Sequence, residues 1–202
     1  MGQGLTGDLL LAAFAVWLFS VWILCRDLPR VLAVPVATLK IMLPVLYFAY
    51  LYDGIWTFKD DWTYYYIGMT LLRAGYHPIT IFFSQEGILQ MAILASGPHL
   101  LYYWYNLLAQ YLFGTHYYAP VLLNVGLTCV AGAFLYRIAR ISGLKKSYSQ
   151  GLLLFFLVHW DILSWSSIAN LKDLLVLTLT TGAHYFVIRL LLVRERLLVK
   201  AV

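Results

Sequence analysis

Charge is scarce in this chain. Asp and Glu together number nine in 202 residues, and all charged residues make up 11%. Soluble globular domains carry roughly 25% charged residues, so a freely solvated domain is excluded. Cysteine is nearly absent: Cys25 and Cys129 are the two present, each inside an apolar block. That leaves no disulfide framework or cysteine metal site, and both read as small buried hydrophobes. CxxCH, P-loop, GxSxG and HExxH patterns are missing, so c-type haem attachment and the corresponding nucleotide, hydrolase and zinc chemistries have no support. The formal net charge is +5. The bases lie at the edges of apolar blocks, where membrane topology accounts for them without a nucleic-acid partner.

What the chain has instead is apolar length. It is 62% hydrophobic, with a mean hydropathy of +0.79. The apolar residues come in blocks at roughly 8–25, 31–52, 117–137, 148–165 and 173–193, each about the length that crosses a roughly 30 Å hydrocarbon core. The expected fold is all-α: a single polytopic membrane domain over 1–202 with about five transmembrane helices. The first block has no basic segment before it and no small-residue cleavage site before Arg26, so it reads as a retained helix. Bases cluster at Arg26/Arg30, at Arg137/Arg140/Lys145/Lys146 and at Arg189/Arg194/Arg196/Lys200. Acids sit at Asp53, Asp60, Asp61, Glu86, Asp161 and Asp173. Five spans with the N-terminus outside place every basic cluster on the cytoplasmic side, including the tail 194–202, and all six acids outside.

Lys40 falls inside the second block. Either it faces a polar cavity within the membrane, or residues 28–38 lie along the inner interface and Lys40 snorkels inward. The second is the expectation. Pro44 is expected to kink this helix. Segment 53–116 is too long for a simple loop and too apolar for a solvated one. It reads as two amphipathic helices on the outer surface. The first covers 61–74, with Trp62, Tyr65, Tyr66, Met69 and Leu72 on one face and Gly75 as its stop. The second, 99–113, is opened by Ser96-Gly97-Pro98 and closed by Gly114. A re-entrant hairpin over 80–113 is the competing view. His116 and His159 belong near the outer ends of adjacent spans. His184 lies deep in the last one, where it bonds a neighbouring hydroxyl or ligates a haem or pigment.

Asp60 and Asp61 stand side by side where the outer segment turns into a helix. An aspartate at a helix start is a good cap and complements the helix dipole, which accounts for one of the pair and leaves the other needing a purpose. Asp173 has the same capping role open to it, and Lys172 could pair with Asp161 or stay hydrated. The outer level also collects Lys59, His77, Glu86, His99, His116 and His159.

The order of segments resembles a known family. An apolar helix leads into Lys59-Asp60-Asp61-Trp62-Thr63-Tyr64-Tyr65-Tyr66-Ile67-Gly68, then Gly75-Tyr76-His77-Pro78. A Tyr-rich helix follows, Leu101-Tyr102-Tyr103-Trp104-Tyr105-Asn106, ending at Gly114. Next come a span ending in Leu135-Tyr136-Arg137-Ile138-Ala139-Arg140 and a second opened by Trp165-Ser166-Ser167-Ile168-Ala169-Asn170-Leu171-Lys172-Asp173. This looks like the N-terminal half of GT-C-type polytopic membrane glycosyltransferases, over about residues 31–193, with residues 1–30 as an extra helix. The resemblance implies transfer of a sugar from a polyprenyl-phosphate donor on the outer face of a bacterial plasma (inner) membrane. It implies Asp60 or Asp61 as the first-loop acidic residue, which acts as general base toward the acceptor hydroxyl or orients it, Asp173 as the second acidic site, and Lys172, by charge and position, on the donor phosphate. It leaves room for a divalent metal beside that phosphate. Family members carry more spans, so the expectation is a truncated enzyme completed by other membrane chains, or a non-catalytic GT-C-derived subunit of a larger complex, holding lipids or pigments.

Overall fold

A computed structural model describes residues 5–54, 59–94 and 99–200, with side chains throughout except at Lys59, Leu94 and 193–200. The proposed helix opening at Ser96-Gly97-Pro98 and the last two residues of the tail lie outside the described residues. All regular structure described is helical: α1 (Gly7–Leu24), α2 (Arg30–Leu46), α3 (Lys59–Arg73), α4 (Gln85–Leu94), α5 (Leu100–Phe113), α6 (Tyr118–Ile141), α7 (Lys146–Val158), α8 (Trp160–Ile168) and α9 (Asp173–Lys200). The protein is an all-α polytopic membrane protein. Four helices are long and apolar enough to cross a membrane: α1, α2 with its extension to Leu51, α6, and α9 through Leu192. α7 and α8 make a fifth crossing if taken together, but they meet at a 48° bend. The single helix expected over 148–165 is therefore two.

α6 is the axis of the bundle. It packs against α1, α2, α5, α7, α8 and α9, and 72% of its most apolar window is buried, against 22% for α9. Small residues make this close packing achievable: Ala119, Ala131, Ala133 and Ala139 are all buried. Polar bonds add to it. Thr178 donates to the Leu127 carbonyl at 3.3 Å, tying α9 to α6, and Trp17 Nε1 donates to Thr38 Oγ1 at 3.0 Å, tying α1 to α2. The outer sides of α1 (Leu11, Phe14, Trp22) and α9 (Val176, Phe186, Leu190) are exposed and apolar, as a lipid-facing surface requires.

α1 starts where Thr6 Oγ1 accepts the Leu9 N–H at 3.3 Å, a side-chain cap followed by Asp8 in the first turn. The disturbance expected at Pro44 appears three residues later, as a π turn over Tyr47–Leu51. α2 is helical from Arg30 and, through Leu51, long and apolar enough to cross a membrane as one span, and Lys40 does not snorkel. Its side chain is fully buried, with Nζ 3.5 Å from the Leu157 carbonyl and 3.4 Å from Ser166 Oγ. It sits at the α7–α8 bend, where the break leaves carbonyls without helical partners. A buried cation thus lies against the bend, a placement that sequence reading did not anticipate.

Segment 53–116 also differs from expectation. Its described residues hold three α-helices, α3 to α5, and a short 3₁₀ turn over Thr80–Phe83. α5 is not a surface helix: Tyr102, Tyr103, Tyr105, Asn106, Leu107, Ala109 and Gln110 are buried. α3 buries Asp61, Tyr64, Ile67, Gly68 and Leu71, whereas Trp62 and Tyr66, on the broad face expected to lie on the membrane surface, are exposed. Gly68 permits the contact with α5. A Cβ there would stand 2.8 Å from the Asn106 backbone carbon. The stop at Gly75 is as expected. Its φ of +86° lets the N–H groups of Gly75 and Tyr76 return to the Leu72 and Leu71 carbonyls at 3.0 and 3.1 Å.

The bundle's two ends differ in charge. At one end the α1–α2 turn meets the α6–α7 turn, joined by the Arg137–Asp27 ion pair at 3.4 Å. At the other, the start of α3 meets the α8–α9 linker.

Candidate functional site

The α8–α9 linker is extended and runs through the protein rather than over it. Asn170, at its centre, is fully buried. It accepts from Tyr102 Oη at 2.6 Å, and its Nδ2 donates to Asn106 Oδ1 at 2.7 Å and to the Asp61 backbone carbonyl at 3.3 Å. The Ala169 carbonyl accepts from Asn124 Nδ2 at 3.4 Å, and Asn124 Oδ1 accepts from Tyr105 Oη at 2.7 Å. A chain of buried amides and phenols thus pins the linker to α3, α5 and α6. Buried polar groups persist when they are bonded in this way.

That pinning brings the three aspartates together. Asp60, Asp61 and Asp173 line one cavity of about 470 Å³ with Ser164, Trp165, Ile168, Ala169 and Leu171. The volume is within the usual range for a small-molecule site. Its lining is part apolar, including the half-exposed Trp165 indole, and part carboxylate. Asp60 and Asp173 are exposed, and Asp61 is fully buried. Tyr117 Oη donates to Asp61 Oδ2 at 3.1 Å. Around Tyr117 stand Tyr52, stacked at 5.4 Å and 6°, and Trp62, stacked at 5.4 Å. Burial, and then the Asp61 charge, push the Tyr117 phenol far above its usual range, so it remains a donor. Burial likewise pushes Tyr52 up to about 12.

Lys172 does not join the cavity wall. Its Nζ lies 3.4 Å from His99 Nε2 and 6.0 Å from the centroid of the Tyr64 ring. Nor does it pair with Asp161, which has His159 Nδ1 at 3.7 Å. The other outer-level groups disperse into local pairs: His77 against Tyr111, Glu86 accepting from Tyr76, His116 stacked on Tyr118. His184 is exposed on α9 with Nδ1 2.8 Å from the carbonyl of Thr180, not a hydroxyl. Among the described residues, no three His, Cys, Asp or Glu side chains gather closely enough to hold a metal ion. The aspartates share a cavity without forming a ligand set, so the donor set does not fit a resident metal.

Asn106, Asn124 and Asn170 are the residues sequence reasoning missed. The available signal was an amide inside an apolar or aromatic run, costly in a membrane unless bonded.

Compared with family models, curated proteins and solved structures, the chain matches none of them.

Proposed function

We propose that this protein is a GT-C-like membrane glycosyltransferase, whose cavity takes a sugar from a polyprenyl-phosphate donor. The observation that supports this most is the convergence of Asp60 and Asp61 with Asp173, from segments over a hundred residues apart, on one half-apolar cavity. A sugar hydroxyl is a weak nucleophile. An open carboxylate beside it can take its proton as the new bond forms. Asp60 is assigned that role because it is exposed to the cavity, whereas Asp61 is held by Tyr117. The acceptor oxygen bonds to the anomeric carbon, the bond from that carbon to the donor phosphate breaks, and the electron pair leaves with the polyprenyl phosphate. Asp173, also exposed on the cavity, orients hydroxyls. Trp165 suits the face of a sugar ring, while Ile168 and Leu171 suit the first isoprenes. Lys172 is assigned to the donor phosphate by its charge and its place next to Asp173 in the chain, although its Nζ lies against His99 outside the cavity lining.

The setting follows the charge sorting: a bacterial plasma membrane, with the aspartate end outside and the Arg26/Lys146 end in the cytoplasm. The uncovered side of α9 supports contact with lipids or with further membrane chains. A second reading, a non-catalytic subunit of a larger complex, draws support from Asp61, whose burial against Tyr117 is a structural arrangement. The deciding experiment is a transfer assay on the purified protein with a panel of polyprenyl-phosphate sugars, alongside photo-crosslinking by a diazirine-bearing polyprenyl phosphate. Transfer, with crosslinks at Trp165 or Leu171, supports the enzyme. Neither transfer nor crosslinking across the panel favours the subunit.

A further inference from the structure

The opposite end of the bundle carries a cavity of about 710 Å³, lined by Cys25, Arg26, Asp27, Leu28, Pro29, Tyr136, Lys146, Ser147 and Gln150. It is built where the α1–α2 turn docks against the start of α7. Gln150 Nε2 holds the two together by donating to the Asp27 carbonyl at 3.0 Å.

The charges of this cavity do not cancel. Asp27 is its single acid and is already committed, its Oδ2 lying 3.4 Å from Arg137 NH2. Among the described residues, neither Arg26 nor Lys146 has a carboxylate within ion-pair distance. Arg26 is nevertheless held in place, its guanidinium carbon 3.7 Å above the Trp22 ring. With Asp27 committed to Arg137, Arg26 and Lys146 leave the cleft a surplus of positive charge, and the Ser147 hydroxyl also lines it. Such a set favours an anion with several acceptor oxygens.

The position selects the kind of anion. The cleft lies at the ends of α1 and α2, where the apolar spans stop. Trp22 is half-exposed there, and Leu18 and Phe19 are exposed one turn further along the same side of α1. Indoles at that level mark the headgroup region. A phosphate seated between Arg26 and Lys146 would have apolar surface directly below it for acyl chains.

We infer that this cleft binds the phosphate headgroup of an anionic phospholipid, between Arg26 and Lys146, with its chains along α1. The site is independent of the aspartate cavity at the other end.

Native mass spectrometry of the full detergent-solubilised chain tests it, using phosphatidylglycerol, phosphatidylcholine and inorganic phosphate as separate probes. Phosphatidylglycerol should bind at least about tenfold more tightly than phosphatidylcholine, and the double variant Arg26→Gln/Lys146→Gln should weaken it roughly 10- to 30-fold, as removal of two cations near a headgroup predicts. Arg189→Gln, the loss of one cation on exposed α9, should leave it unchanged. Should the double variant fold poorly, Lys146→Glu alone serves. The residue is exposed, a carboxylate in the first turn of α7 favours the helix, and it repels the headgroup. Equal binding of both lipids, undiminished binding in the Lys146 variants, or an equal loss in Arg189→Gln would overturn the site. Inorganic phosphate binding as tightly as the lipid would overturn its assignment to a lipid.

Discussion

Tyr117 donates its phenolic hydrogen to Asp61 across a distance of 3.1 Å, and both side chains are buried. The bond joins the residue before α6 to the first turn of α3. An ionised carboxylate without a donor there would cost several kcal/mol, so the pair holds the site's floor in place as well as satisfying Asp61.

Tyr117→Phe should therefore destabilise the protein by about 1–3 kcal/mol, the usual cost of leaving a buried acceptor short of its donor. The pH dependence should change with it. Tyr117, Tyr102 and Tyr105 all have phenols raised by burial above the unfolded value of 10.0. Above about pH 10 the unfolded chain loses those protons while the folded one keeps them, so stability should fall as pH rises through that window. Thermal unfolding of both forms between pH 8 and 11 checks this. A flat wild-type profile, or an equal decline in Tyr117→Phe, contradicts the account.

The spans were legible in the sequence because apolar length is a property of composition alone. Gly75 was legible as a helix end because it is followed by Tyr76-His77-Pro78. Asp60, Asp61 and Asp173 stood out by scarcity, and they do meet in one cavity. The packed face of α3 was not legible. In a membrane the surroundings are as apolar as the core, so periodicity could not tell that Tyr64 and Gly68 face inward while Trp62 and Tyr66 face outward. The bend at His159 was hidden for a related reason. Phe155-Phe156-Leu157-Val158-His159-Trp160 has no proline or glycine to announce it, and the buried side chain that touches it, Lys40, lies over a hundred positions away.

Contact between α3 and α5 should be sensitive to a single methyl. Gly68→Ala places a Cβ within 2.9 Å of the Asn106 and Leu107 backbone, which cannot give as a side chain would. A loss of about 1–3 kcal/mol is expected from such overpacking. Gly151→Ala is the contrast: nothing lies within 4 Å of its Cβ, and alanine in a helix gains up to about 1 kcal/mol over glycine. Thermal unfolding should move in opposite directions for the two variants; the same sign for both would sink the packing argument.

Lys40→Met tests which force wins at the α7–α8 bend. A lysine in mid-membrane costs about 2.5–3.5 kcal/mol. Its bonds to Leu157 and Ser166 are long, at 3.5 and 3.4 Å, and such bonds return about 1–2 kcal/mol together. Methionine should thus leave stability unchanged or raise it by about 1 kcal/mol, while Lys40→Glu should prevent folding. A large loss in Lys40→Met would show that the cation, not the surrounding packing, maintains the bend.

The charge sorting predicts that Gln85 and Ser142 lie on opposite sides of the membrane. Single cysteines at these positions, in a background lacking Cys25 and Cys129, should label with an impermeant maleimide from opposite faces of sealed vesicles. Labelling from the same face would mean that the number of crossings between α4 and the α6–α7 turn is wrong.

The two neighbouring aspartates should respond differently to the same change. Asp60 is exposed at the cavity and Asp61 is buried against Tyr117. Asp60→Asn keeps the shape in the first turn of α3 but cannot take a proton. Transfer should fall about 100- to 10,000-fold, the usual contribution of a general base, with stability within about 0.5 kcal/mol of the parent. Asp61→Asn replaces a charge-assisted bond by a neutral one inside the protein. It should cost about 1 kcal/mol or more in stability and reduce transfer only through the displaced floor of the cavity. Unfolding and transfer measured on the same preparations separate the two. Undiminished transfer in Asp60→Asn and in the Asp60→Asn/Asp61→Asn double variant would remove the catalytic role from this pair. A stability loss in Asp60→Asn equal to that in Asp61→Asn would make both aspartates structural.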